Sequence, residues 1–275
     1  MNRPGVRVAE VVAHRDGAVR VRDDWLADEV PVALLVDGVS QAVMLATPAE
    51  LDDFALGFAL TEGWIERADE LYGSEVEATP QGIELHLQLA SARVWALRER
   101  RRVLAGRTGC GLCGIESLAQ VERPLPPVPA VTVAVGALAR AQRELARQQP
   151  LNALTGAVHA AAWCGLDGAV HLVREDIGRH NALDKLVGAM ARAGVAPAQG
   201  FIAITSRASF EMVHKAAAAG VGALAAVSAP TARAVRTAQT LGLVLAGFVR
   251  GDDCVAYSGA ERLQGAALAQ PEAGL

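Results

Sequence analysis

Apolar and polar residues alternate in short runs over the first third of the chain. Val6 to Val12 and Ala18 to Val21 flank Arg15-Asp16-Gly17, and Val32 to Val36 and Val43 to Ala46 flank Asp37-Gly38. Each arrangement predicts a β-hairpin around a tight turn. The spacing then changes, and Leu51, Phe54, Ala55 and Phe58 recur at helical intervals. Thr47, Pro48 and Glu50 just before them spell a helix start: a capping threonine, a proline at the first helical position and a glutamate that completes a capping box. Ile83 to Leu89 alternates strictly and predicts a half-buried strand.

The prolines between Arg123 and Pro129 fit neither helix nor central strand and read as a linker. Val131 to Gln149 reads as a helix. Strands and helices then alternate: Ala169 to Val173 before His180 to Arg192, Phe201 to Thr205 before Phe210 to Ala219, and Ala223 to Val227 before Thr231 to Leu241. Strands Leu243 to Val249 and Cys254 to Tyr257 close the set. The expected fold class is α/β, with a smaller strand-rich part over residues 1–127 and an α/β part over 128–275 built on a largely parallel sheet.

Composition narrows the function classes. Hydrophobic residues are 52% of the chain and charged residues 20%, which is globular rather than disordered. Much of the apolar share is alanine, so the core depends on close approach more than on bulk. The net charge of −4 argues against general nucleic-acid binding. No charged-then-apolar leader opens the chain, and no run approaches the length of a membrane span; Ala216 to Ala229 is too short and too rich in Ala and Gly. Four cysteines in a chain of this size make no disulfide scaffold. The expected setting is a reducing cytoplasm, with no membrane and no nucleic acid as partner.

The sharpest chemical feature is Gly109-Cys110-Gly111-Leu112-Cys113-Gly114. Two cysteines three apart can meet one sulfur atom, one metal or each other, and flanking glycines leave the backbone uncrowded. Arg93, Arg98, Arg100, Arg101, Arg102 and Arg107 lie close in sequence, against Glu99 alone. Positive surroundings lower a thiol pKa, and a fall from about 8.5 to about 7 takes the thiolate at neutral pH from about 3% to one half. The pair admits four readings: small buried hydrophobes, half of a zinc site, a thioredoxin-like dithiol, or a nucleophile that carries persulfide sulfur. A closed zinc site needs four ligands, and only Cys164 and Cys254 remain, isolated along the chain; no bound metal is expected. A thioredoxin-like dithiol would follow a first strand, which is missing here.

Three polar stretches follow expected strands. Arg174-Glu175-Asp176-Ile177-Gly178-Arg179-His180 opens one helix, Ser206-Arg207-Ala208-Ser209 opens the next, and Phe248-Val249-Arg250-Gly251-Asp252-Asp253 ends another strand. Ligands of open α/β sheets bind at such strand ends, and helix starts offer N–H groups to anions. Local structure could also account for each: an Asp176–Arg179 ion pair, capping by Ser209, a hairpin around Gly251. His159, among small apolar residues, reads as a satisfied core histidine or a site residue. Ala161 stands where a zinc deaminase would carry glutamate, which disfavours deamination.

With these residues in hand, the sequence resembles the FdhD family of formate dehydrogenase accessory sulfurtransferases. The likeness runs through Thr47-Pro48, Ala55 to Gly63, Cys110 and Cys113, Thr155 to Ala162, Arg174 to Lys185, Ser209 to Met212, Ala226 to Thr231 and Gly247-Phe248. The resemblance implies a fold related to cytidine deaminases and a homodimer. It implies that sulfur is taken from a cysteine desulfurase and passed to the molybdenum cofactor in its bis-guanylyl form, Mo-bis(molybdopterin guanine dinucleotide), which formate dehydrogenase needs. It maps the persulfide carrier to Cys110 and the cofactor-binding stretch to Phe248 through Asp253. Arg207 directly after Ser206, and the acidic Asp252-Asp253 pair, depart from the family pattern. A cofactor chaperone that moves no sulfur, and a thiol–disulfide oxidoreductase, are the alternatives.

Overall fold

A computed structural model describes residues 4–105 and 123–265. Strands β1 (Val6–Arg15) and β2 (Ala18–Ala27) pair antiparallel as a free-standing ribbon. Strands β3 (Val30–Val36) and β4 (Val39–Ala46) form the second expected hairpin. Both turns are Asp-Gly with positive φ at both residues, 51° and 74° in the first and 50° and 70° in the second. That left-handed pair matches the twist of the strands it joins, and Asp-Gly tolerates it. β3 also pairs in parallel with β6 (Gly82–Leu89), which pairs with β5 (Leu71–Thr79), giving the sheet order β4-β3-β6-β5. Leu85, Leu87 and Leu89 of β6 are buried, as the alternation predicts.

Helix α1 (Leu51–Thr61) packs on this sheet through Phe54 and Phe58, with Trp64 edge-on to Phe58 at 5.1 Å. The expected capping box does not form. Glu50 sits at the helix start with φ 46°, and no side chain caps it. Thr47 is drawn instead to the C-terminal part: its hydroxyl accepts from the Ile177 N–H at 3.1 Å and its N–H donates to Asp176 at 3.0 Å. A buried tertiary partner outcompetes the local cap. Helix α2 (Ser91–Ala105) replaces what read only as an Arg-rich segment, because its arginines mask the inward Val94 and Leu97.

The C-terminal part holds a six-stranded sheet of order β13-β12-β11-β10-β8-β9. Its strands are β8 (His159–Gly165), β9 (Val170–Asp176), β10 (Gly200–Ile204), β11 (Ala223–Ala226), β12 (Val244–Arg250) and β13 (Asp253–Ser258). Only β10–β11 and β11–β12 pair in parallel; the other three pairings are antiparallel. The expectation of a largely parallel sheet is therefore corrected to a mixed one. Two of the three antiparallel pairings come from β8, whose Ala-Ala-Ala-Trp-Cys run has neither alternation nor β-branched residues, and which enters between β10 and β9 against both; the third is the β12–β13 hairpin. Short two-residue strands β7 (Val133–Ala134) and β14 (Leu263–Gln264) pair beside it.

Both sheet faces are covered, which is why β10 reads as a continuous apolar run. Ile202 and Ile204 face the helices α5 (Arg179–Arg192), α6 (Phe210–Ala218) and α7 (Ala232–Leu241). Phe201 and Ala203 face α3 (Val135–Arg147), which is shorter than the expected Val131 to Gln149 and is followed at Pro150 by α4 (Pro150–Thr155). Residues 123–132 have no regular structure, as the prolines require.

α1 and α5 join the two parts by unusually close approach. A β-carbon on Gly57 would run into the Asp184 carbonyl oxygen, and one on Gly188 into that of Asp53. Because these obstacles are backbone atoms of a packed helix, they cannot swing aside. Gly57→Ala is expected to lower stability by about 1–3 kcal/mol or more through overpacking, although alanine favours helix locally. Urea denaturation checks this, and a stabilised variant would refute it.

Candidate functional site at the sheet edge

The antiparallel insertion of β8 sets the site. His159, at its start, pairs with Asp176 at the end of β9, and Ala161 pairs with Ile204 at the end of β10. The ends of β9, β10, β11 and β12 therefore emerge on one edge, together with the first residue of β8. Helices α5, α6 and α7 begin there, with their free N–H groups at that edge.

The polar run from Arg174 to Lys185 divides between this edge and the seam with the N-terminal part. Arg174 makes paired bonds to Asp53 of α1 at 2.8 and 2.7 Å and a third to the Val173 carbonyl. Glu175 caps α4 through the N–H groups of Leu151 and Asn152. Asp176 and Lys185 are both fully buried and 2.7 Å apart. Asp176 also accepts from the N–H groups of Thr47 and Gly178 and from Asn181, while Lys185 donates to the Thr47 carbonyl. The alternative of an Asp176–Arg179 ion pair is not found among the described residues, because the carboxylate already has these partners. Further along, Lys215 meets Asp184, Glu62 and Thr61. Burial pulls its pKa down, but the two carboxylates outweigh this and raise it.

Arg179 and His180 serve the edge. His180 Nε2 lies 2.7 Å from Glu211, and that contact holds the Glu211 carboxyl below its ordinary range. Half-buried His159 is shifted down, first by burial and then by the charges of Arg179 and His180, so it favours its neutral form. Sequence reasoning left His159 ambiguous; its strand register places it on the edge. Arg179 Nε and Ser209 Oγ are shielded from water without a hydrogen-bond partner. Ser209 is not the simple cap it resembled, whereas Thr231 does cap α7 by accepting from the Ala234 N–H. Unsatisfied donors at helix starts fit an anionic ligand with acceptor oxygens.

Ser206 donates to the Arg207 carbonyl, and the Arg207 side chain is exposed. Beyond it, Ala208 bridges to Pro230. Phe248 is 41% exposed with φ 50°, a conformation that non-glycine residues seldom adopt and that turns its ring outward from an otherwise buried strand. Exposed Arg250 donates to the Val227 carbonyl at 3.1 Å. Val249 is buried in the core against α3, so its side chain is not available to a ligand. Gly251 forms the expected tight turn, with φ 58°. Arg143 of α3 binds both the Gly251 carbonyl and Asp252, which offsets the acidic charge beside Arg250. Cys110 and Cys113 lie outside the described residues. A groove of roughly 680 Å3 is lined by Pro48, Leu51, Val76, Pro150, Leu151 and, near the end of β9, Glu175, but not by Arg179, His180, Ser209 or Phe248.

The edge, its helix starts and the seam all carry the residues of the motif pattern, and comparison with known proteins gives the same answer over most of the chain. The FdhD/NarQ family model matches residues 27–264. The chain belongs to the FdhD/NarQ family. It is 58% identical over 262 residues to the sulfur carrier protein FdhD of Variovorax paradoxus, covering 95% of this chain and 91% of that one. It is 53% identical to the sulfur carrier protein FdhD of Cupriavidus necator over 251 residues, covering 91% and 87%. The corresponding protein of Bordetella petrii is 51% identical over 259 residues, with 93% of each chain covered. Its fold is shared with a crystal structure described as a formate dehydrogenase accessory protein from Desulfotalea psychrophila, with TM-score 0.73, 21% identity and coverage of 95% and 100%.

Placed on this FdhD/NarQ fold, the motif landmarks acquire distinct roles. Thr47, Gly57 and Thr61 meet the Arg174–Lys185 run at the seam, while Arg179, His180, Ser209 and Phe248 stand at the edge. Among the described residues no helix is long and apolar enough to cross a membrane.

Proposed function

We propose that this protein carries sulfur from a cysteine desulfurase to the bis-guanylyl molybdenum cofactor destined for formate dehydrogenase. The observation that carries the reading is the edge itself: unsatisfied Arg179 and Ser209 donors at helix starts, beside exposed Arg207, Phe248 and Arg250, in a chain of the FdhD/NarQ family. The cofactor is cargo, and its guanosine diphosphate-like arms supply the phosphates and flat bases that arginine and Phe248 suit. Formate dehydrogenase is the client, the cytoplasm the setting and a homodimer the working form. The mixed sheet with helices on both faces supports kinship with cytidine deaminases.

The sulfur chemistry follows from the cysteine pair. The Cys110 thiolate attacks the terminal sulfur of the donor's persulfide; the donor S–S bond breaks and its electron pair leaves with the donor thiolate. Cys113 can then attack the Cys110 sulfur, releasing the terminal atom as hydrosulfide and leaving a Cys110–Cys113 disulfide. A cellular dithiol must reduce that disulfide before the next cycle. Mass spectrometry after incubation with desulfurase and cysteine should find one added sulfur. Its absence would favour the chaperone reading.

Guanosine diphosphate should bind the edge. Arg179→Ala and Arg250→Ala should each weaken it about tenfold or more, the loss expected of a charged hydrogen bond worth about 1.5–3 kcal/mol. Arg7→Ala, which removes an exposed ion pair, should leave affinity unchanged. Calorimetric titration decides, and equal affinity in all four proteins would move the cofactor off this edge.

A further inference from the structure

We infer a divalent metal site on the β5–β6 hairpin, formed by Glu77, Glu84 and His86, that takes zinc or a similar first-row cation. The donor atoms of the three residues lie within 4.8 Å of one another. His86 Nε2 is 3.3 Å from Oε2 of Glu77 and 3.3 Å from Oε2 of Glu84. That spacing is long for a charge-assisted hydrogen bond, which settles near 2.7–2.9 Å. It equals the edge of a zinc tetrahedron: ligands about 2.0–2.1 Å from the ion stand about 3.3–3.4 Å apart.

Two further observations point the same way. Nε2 of His86 is shielded from water on a side chain that is 33% exposed, and neither carboxylate oxygen meets it in hydrogen-bond geometry, which leaves its lone pair open to a cation. Glu77 stands directly opposite Glu84 in the antiparallel register, and Glu75 stands opposite His86. Like charges placed directly opposite on a sheet repel. Among the described residues no lysine or arginine pairs with Glu77 or Glu84 to relieve this. The two carboxylates carry charge −2, which a divalent ion balances. The imidazole favours zinc, nickel or cobalt over magnesium or calcium. Three protein donors leave one corner of the tetrahedron open to water.

The site is independent of the cysteine pair and departs from the sequence expectation of no bound metal. Glu84 and His86 share one face of β6 two residues apart, and the β5–β6 register brings Glu77 beside them. Titration of the full chain with Co2+, and with Zn2+ against a chromophoric chelator, tests it. The Cys110→Ser/Cys113→Ser variant should bind one ion, with visible cobalt bands and no intense near-ultraviolet thiolate band. In that background His86→Ala should abolish binding, and the near-isosteric Glu77→Gln and Glu84→Gln should each weaken it by more than about tenfold. Failure of the cysteine-free protein to bind at micromolar metal would overturn the site. Equal binding by the folded Glu77→Gln and Glu84→Gln variants would overturn it too.

Discussion

Asp176→Ala is expected to lower stability by about 3–5 kcal/mol, a large fraction of the roughly 5–15 kcal/mol available to a folded domain. The loss comes from Lys185, which would be left fully buried beside a single carbonyl, that of Thr47. The N–H groups of Thr47 and Gly178 and the Asn181 amide would lose their acceptor as well. These bonds join β4, the start of α1 and the start of α5, so the seam should open with the pair. The Asp176→Ala/Lys185→Met variant separates charge from packing. It removes both ions, and should recover part of the loss because an unpaired buried charge costs more than an absent pair. Denaturation in urea measures both variants. A loss below about 1 kcal/mol for Asp176→Ala, the range of surface pairs, would contradict this account.

Local rules made much of the fold legible. Asp16-Gly17 and Asp37-Gly38 marked their hairpins because a two-residue turn demands those backbone angles. Thr231 marked the start of α7 because, among the described residues, no tertiary partner competes for its hydroxyl. Thr47 failed as a cap for the opposite reason: residues more than a hundred positions away offered it buried bonds. β8 was invisible because three alanines between two covered faces leave no period to detect. Missing it cost the sheet part of its true sense, since β8 supplies two of its three antiparallel pairings and brings His159 to the edge.

The candidate site was legible as a set of strand ends, but its members could not be sorted. Arg174 and Arg179 look alike in sequence. One ends on a half-buried strand facing Asp53, the other at a helix start with an unsatisfied Nε. Asp176 and Glu211 likewise look like equal partners for arginine, yet the first is consumed by the seam and the second by His180. Alternation fixes which side of a strand a residue takes, but not which distant helix waits there. The register of β5 on β6, which assembles Glu77, Glu84 and His86, is information of the same kind.

Cys110→Ala should carry no transferable persulfide, while Cys113→Ala should still load sulfur and release it poorly. The argument rests on thiolate supply and on the order of the two attacks. An ordinary thiol is about 3% ionised at neutral pH, and arginines nearby in sequence can bring the fraction to about one half, a gain of more than tenfold in attacking species. Lower basicity gives back part of that gain through weaker nucleophilicity, so the net advantage is smaller than the thiolate ratio. Glycines on both sides of Cys110 and directly after Cys113 leave room for a donor's persulfide to approach. Loading needs one thiolate and release needs the second, so the variants should fail at different steps. Incubation with desulfurase and cysteine, followed by intact-mass measurement before and after a small dithiol, reads both steps. Wild type should gain one sulfur and lose it as hydrosulfide. Cys113→Ala should gain it and hold it until the external dithiol arrives, and Cys110→Ala should gain none. Thermal melts of the three should coincide. Full loading and delivery by Cys110→Ala would transfer the carrier role to Cys113, and no loading by wild type would leave a cofactor-binding protein that moves no sulfur.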